Sequence, residues 1–188
     1  GSRFAVVDVR RKDALRAAVT YLAELGHTRI AYIGDARESD SKQQEKVAGF
    51  TEGAFACRLS PGDAIVLNSG GNTWRDGYEA GRRLLELERR PTAVIAGAFD
   101  VTAGLLRAVL DGGLRVPDEL SLVSYDHVPQ LAELDVPVTA VGAPVDRFAE
   151  RIAETLLHLM LAGDKNQLKV MLDAEIKERS SAIRLVSP

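Results

Sequence analysis

Cys57, His27, His127 and His158 are the side chains of this sequence best suited to nucleophilic or metal chemistry, and their spacing supports neither. The histidines stand far apart, with no second cysteine and no paired-histidine interval, so a zinc site is not expected. Cys57 falls on the apolar stripe of a helical pattern, which suits a packed thiol better than an activated one. His27 follows a helix C-terminus, where the helix dipole favours a partly positive imidazole. There is no Gly-x-Ser-x-Gly elbow to seat a hydrolase serine. Gly34-Asp35-Ala36-Arg37 follows a strand pattern but lacks the further glycines and the Lys-Ser/Thr pair of a phosphate loop. Asn68-Ser69-Gly70-Gly71-Asn72 is flexible and opens no Gly-x-x-Gly helix. Most carboxylates lie at strand ends and helix starts, where capping accounts for them. The residues predict no enzyme, no metal and no cofactor.

The elements that would hold these residues alternate along the chain. Apolar runs rich in β-branched residues cover Phe4–Val9, Arg29–Ile33, Ala64–Leu67, Ala93–Ala96, Leu120–Tyr125 and Val138–Val141. Most are apolar at consecutive positions, the pattern of parallel strands covered on both faces. Between them, helical spacing runs over Lys12–Leu25, Gln43–Cys57, Trp74–Leu87, Asp100–Leu110 and Pro144–Leu161. Gly26 caps the first of these, Thr73-x-x-Asp76 opens the third, and Asp100 is the expected N-cap of the fourth. Such alternation predicts an α/β fold, a doubly wound, mostly parallel sheet flanked by helices. Leu168–Val186 changes to an alternating pattern and reads as one or two added strands, set off by a turn over Ala162–Asn166. The net charge of 24 − 27 = −3 argues against a phosphate-gripping surface on these residues alone. The sequence has no membrane-spanning run and no signal peptide at its start, and one cysteine suits a reducing compartment, so a cytoplasmic protein is expected.

Several phrases also resemble a known family. Leu25-Gly26-His27-Thr28-Arg29-Ile30-Ala31-Tyr32-Ile33-Gly34 is similar to the "LGHxxIAxIxG" signature of the LacI/GalR transcription regulators. Val7-Asp8, Lys46-Val47-Ala48-Gly49-Phe50 (arginine in the family where Lys46 stands), Gly77-Tyr78-Glu79-Ala80 and Pro91-Thr92-Ala93 follow in family order. Leu114-Arg115-Val116-Pro117-Asp118, Tyr125-Asp126, Val136-Pro137 and the closing Arg179-x-Ser181 complete a match from about Phe4 to Ser181.

The resemblance implies a periplasmic-binding-protein-like lobe of type I. Residues 3–136 would form the C-terminal lobe of an effector-binding module, 137–166 a returning helix of the N-terminal lobe, and 167–188 closing strands of the C-terminal lobe. The DNA-binding headpiece and most of the N-terminal lobe are expected to be absent from this chain. The implied partners are a small polar, sugar-like effector, operator DNA through that headpiece, and a second copy in a homodimer, with no membrane. A periplasmic sugar-binding receptor is the alternative.

In an open α/β sheet the ligand lies beyond the carboxyl ends of the strands. The family pattern places Asp126 as a hydroxyl-orienting carboxylate there; it could instead cap Val128–Leu131. Lys46 takes the ligand-facing arginine position or is a solvated helix residue, and Lys42, one turn earlier, shares its face. Phe99 replaces the asparagine of the family's Asn-Asp pair and offers either a stacking surface or core packing. Asn72 stands where the family often has an aromatic. Trp74 would stack a sugar ring or pack in the core. Ala143 replaces a glutamine found in some members. These departures argue against transferring any one member's effector.

Overall fold

The computed structural model describes residues 5–37, 39–162 and 169–185. The expected turn over residues 163–166, the strand ends at Phe4, Leu168 and Val186, and the boundary between residues 166 and 167 lie outside them. The elements in order are β1 (Val6–Val9), α1 (Arg11–Glu24), β2 (Ile30–Gly34), α2 (Ser41–Ala56), β3 (Ala64–Asn68), α3 (Trp74–Leu85) and β4 (Ala93–Ala96). There follow α4 (Phe99–Asp111), β5 (Ser121–Ser124), a 3-10 turn (Pro129–Ala132), β6 (Thr139–Gly142), α5 (Val145–Ala162), β7 (Lys169–Leu172) and β8 (Glu175–Lys177).

The main sheet has the order β3-β2-β4-β5-β6-β8. Its strands are parallel except β8, which runs antiparallel to β6. Every residue of β2, β4, β5 and β6 is buried, the polar Ser121, Ser124 and Thr139 included, whereas β3 forms a partly exposed edge. Alternate residues divide between two layers. Tyr32, Ile95, Val123 and Val141 face α1 and α2 through Leu15, Val19, Leu22 and Phe50. Ala31, Ile33, Val94 and Leu122 face α3 and α4 through Leu84, Leu105 and Val109. The strand order reverses between β2 and β4, so the crevice of a doubly wound sheet opens there.

Val6–Val9, expected among the strands of this sheet, pairs in parallel with β7 instead and carries α5 against it. The reason is directional. α1 returns to the amino end of β2, so its start, and β1 before it, lie beyond the carboxyl ends of the main sheet. Of the closing strands only β8 joins the main sheet. α5 leaves Leu156, Leu157, Met160 and Leu161 exposed. No helix among the described residues is long and apolar enough to cross a membrane.

The Arg179-x-Ser181 motif works as a zip between β5 and β6, which pair directly only at Val123–Thr139 and Ser124–Ala140. Ser181 Oγ accepts from the Thr139 N–H at 2.8 Å and donates to the Leu122 carbonyl at 2.5 Å. The Leu122 N–H donates to the Ser181 carbonyl at 2.7 Å, and Arg179 Nη1 to the Val138 carbonyl at 2.6 Å. Ser181 is fully buried, so Ser181→Ala strands two backbone groups without water. The expected loss is about 1–3 kcal/mol, read as a lower urea midpoint.

His27 departs from its expected setting. It is buried, with Nδ1 at 2.9 Å from Thr92 Oγ1 and Nε2 at 3.2 Å from the Ile183 carbonyl. Burial holds its pKa below the ordinary histidine value, against the pull of the Ile183 carbonyl, so the folded protein favours the neutral ring. The unfolded chain therefore binds the proton more readily. The contribution of His27 to stability is complete above about pH 6.5 and is lost as pH falls through the lower folded-state pKa. Thermal melts from about pH 7 to pH 5 are expected to show a falling midpoint, less steep in His27→Gln.

Candidate functional site

Two of the motifs meet across the crevice. Asp40 caps α2 by accepting from the Lys42 and Gln43 N–H groups, at 2.9 and 3.4 Å, which starts the helix so that Lys42, Gln43 and Lys46 fall on one side. Lys46 is buried, donates to the Gly97 carbonyl at 2.8 Å, and lies 4.2 Å over the Tyr125 ring. Burial lowers its pKa, while the charges of Asp126, Asp40 and Asp35 oppose that shift. The alternative of a solvated Lys46 is thereby excluded.

Asp126 follows β5. It accepts the Phe99 N–H at 2.7 Å, the first amide of α4, and so caps that helix and not Val128–Leu131. Asp100, expected as the cap, lies in the first turn, because Ala98 occupies the N-cap position and Asp126 already serves the free amide.

Lys42, Lys46 and Asp126 line a cleft of about 490 Å³ between α2, the loop after β5, the end of β6 and α5. Its walls also include Asp8 and Arg11 from the β1–α1 junction and Phe148 and Ile152 from α5. Arg11 holds Asp8 through both guanidinium nitrogens, one at 3.0 Å from Oδ2. Burial raises the Asp8 pKa, but the Arg11 contacts and the Val9 N–H outweigh it and hold the carboxylate below its usual range. Ala143, in place of a glutamine, adds no polar group to the wall. The cleft is thus apolar on the α5 side and polar on the sheet side, with charge of both signs, which suits a small molecule with one apolar and one polar face.

The remaining expected residues are not in the lining. Phe99 packs against the α3–α4 core layer, because its amide, not its ring, is turned to Asp126. Trp74 is 47% exposed and stacks on Tyr78, with centroids 5.2 Å apart, since the inner face of α3 is filled by Gly77, Ala80, Gly81 and Leu84. Asn72 sits beside it in the β3–α3 loop, on the far side of β2 from β5. Cys57 is half-buried at the C-cap of α2, 3.8 Å from Thr20 Oγ1. Arg11, Gln43 and His127 were not singled out from sequence for the cleft. Their signals were positional: Arg11 is three residues from Asp8, Gln43 three from Lys46, and His127 adjoins Asp126.

A family model for the periplasmic binding protein-like domain matches residues 19–182. The chain belongs to that family. The probable HTH-type transcriptional repressor ExuR of Bacillus subtilis is 28% identical over 179 residues, covering 94% of this chain and 52% of the relative. The ribose operon repressor of Escherichia coli is 27% identical over 165 residues, covering 88% and 49%. A ribose-bound LacI family transcriptional regulator from Enterococcus faecium superposes with a TM-score of 0.84 at 21% identity, covering 96% of this chain and 66% of that one, which supports the fold. The chain spans about half the length of the curated relatives it matches. All three carry the names of transcriptional repressors or regulators.

Proposed function

We propose that this chain is the effector-sensing part of a LacI/GalR-type DNA-binding regulator. A small polar, sugar-like metabolite binds in the cleft built by Lys46 and Asp126 and shifts the balance between two arrangements of the lobes. In this reading the protein catalyses no reaction, works in the cytoplasm where its operator lies, and pairs with a second copy so that two headpieces address two half-sites. The observation that carries the reading is the cleft itself: it lies at the carboxyl ends of the strands, lined by buried Lys46 from α2 and half-buried Asp126 from the loop after β5. The names of the relatives favour a regulator over an exported receptor. Intact mass and N-terminal sequencing of the native gene product test it. A basic helix-turn-helix segment ahead of Phe4 is expected; a cleaved export signal with no headpiece would overturn the reading.

A further inference from the structure

β3 ends the main sheet on one side, and its bonds to β2 fix which of its groups face away. The Ser69 N–H donates to the Gly34 carbonyl and the Ile30 N–H to the Asp63 carbonyl, each at 2.9 Å. Bonding residues alternate along such a pair, so Ala64, Val66 and Asn68 turn their backbone groups outward. Part of that set is served from within the chain. The Ala64 N–H donates to the Ser60 carbonyl at 3.2 Å, and Arg83 Nη2 to the Asn68 carbonyl at 2.7 Å. The Ala64 carbonyl, both groups of Val66 and the Asn68 N–H have no partner among the described residues. Exposed edges are ordinarily blunted by charge, proline or a bulge, and Ala64-Ile65-Val66-Leu67-Asn68 has none of these.

The free groups are complementary to themselves. Laid antiparallel about a twofold axis at Val66, two copies of β3 exchange both Val66 bonds, and each Asn68 N–H meets the other copy's Ala64 carbonyl. The groups already served, the Ala64 N–H and the Asn68 carbonyl, fall opposite one another and need nothing further.

The helices beside this edge fit the same occupant. α2 meets α1 at Gly49 and Gly53, so at about 100° per residue Phe55 stands on the far flank, toward β3. It is 86% exposed, and Val66 on the same face of the sheet is 39% exposed. On the other face α3 meets α4 at Gly77 and Gly81, which turns Glu79, Arg83 and Glu86 toward the edge. With Arg82 these exposed side chains line one groove, balance in charge, and form no ion pair among the described residues. A copy running the opposite way brings each arginine within a helical turn of a glutamate that is not its own. A stable contact buries about 1,000 Å² or more, beyond what a short strand pair covers, so the α2 and α3 flanks have to belong to it.

We propose that β3 is a self-association edge, taking β3 of a second copy of this chain in antiparallel pairing so that the sheet runs on through the contact. The inference goes beyond the effector reading, which calls for a second copy without placing it, and it uses no residue of the cleft.

Sedimentation equilibrium on the full native chain, beside Val66→Lys and Phe55→Glu, tests it. Each variant is expected to dissociate about tenfold more readily than the wild type. Amide exchange reads the edge itself: the Val66 and Asn68 amides are expected to slow as wild-type concentration rises, and to stay fast in Phe55→Glu. Should Val66→Lys fail to fold, Phe55→Glu decides, since it changes a side chain already in water. Association that neither substitution weakens, or Val66 and Asn68 amides that exchange equally fast at every concentration, would overturn the proposal and leave the effector reading standing.

Discussion

Asp126→Ala is expected to abolish most effector binding while leaving the fold in place. The carboxylate has two roles that separate experimentally. One oxygen accepts the Phe99 N–H at 2.7 Å and caps α4. The other is available to the cleft that the residue lines. Losing the cap costs about 0.5–2 kcal/mol, well short of the stability of a domain this size. Losing a carboxylate hydrogen bond to a ligand hydroxyl costs about 1.5–3 kcal/mol, which is roughly ten- to a hundredfold in affinity. Asp126→Asn keeps a carbonyl oxygen for the Phe99 amide and loses the charge. Its melting midpoint should stay near wild type while its affinity for the effector falls. Calorimetry and thermal melts on the two variants give both numbers. Equal effects on stability and binding would mean that Asp126 is only a cap.

The largest effect on folding is expected from Gly77→Val. Gly77 is where α3 meets α4: a Cβ there would stand 2.3 Å from the Val101 carbonyl oxygen and 2.7 Å from its Cα. Gly104, on the other helix, would likewise place a Cβ 2.0 Å from the Trp74 carbonyl. The obstruction is backbone on both sides, so no rotamer relieves it, and the helices must separate. Separation opens the layer formed by Leu84, Leu105 and Val109 against the sheet. Overpacking of this kind costs about 1–3 kcal/mol, and contact with backbone places it at the upper end. Equilibrium unfolding in urea should show a midpoint lowered by that amount with the slope unchanged. The "GYEA" phrase thus has a physical reason, with glycine first because two helices touch there.

Those comparisons show what kind of information the sequence carries. The sheet was legible because β2 and β4 are runs of consecutive apolar residues and β5 and β6 hold apolar pairs, Leu122-Val123 and Ala140-Val141, a pattern that burial on both faces explains. Lys46 and Asp126 were legible as cleft residues because the LacI/GalR resemblance puts them at ligand-facing positions, and Lys42 because it lies one helical turn from Lys46. Trp74 was not, since helical spacing alone cannot tell which stripe of α3 meets α4, and Asn72 was not because its loop follows the edge strand β3, away from β5. The choice is made by Gly77 and Gly104, whose meaning appears only when the helices are paired. His27 was misjudged for a similar reason. Its lid is the Ile183 carbonyl, 156 residues away, brought over it by the closing segment. Pairing of β1 with β7 also depends on the direction in which α1 returns, which no local pattern records.

The central claim is that a sugar-like molecule in this cleft controls DNA binding. The most direct measurement titrates the native gene product, bound to DNA from upstream of its own gene, with neutral sugars, alongside Asp126→Ala. One sugar is expected to change the DNA affinity of the wild type and to leave that of the variant unchanged. DNA affinity that no sugar alters, or that responds equally in the variant, would contradict it.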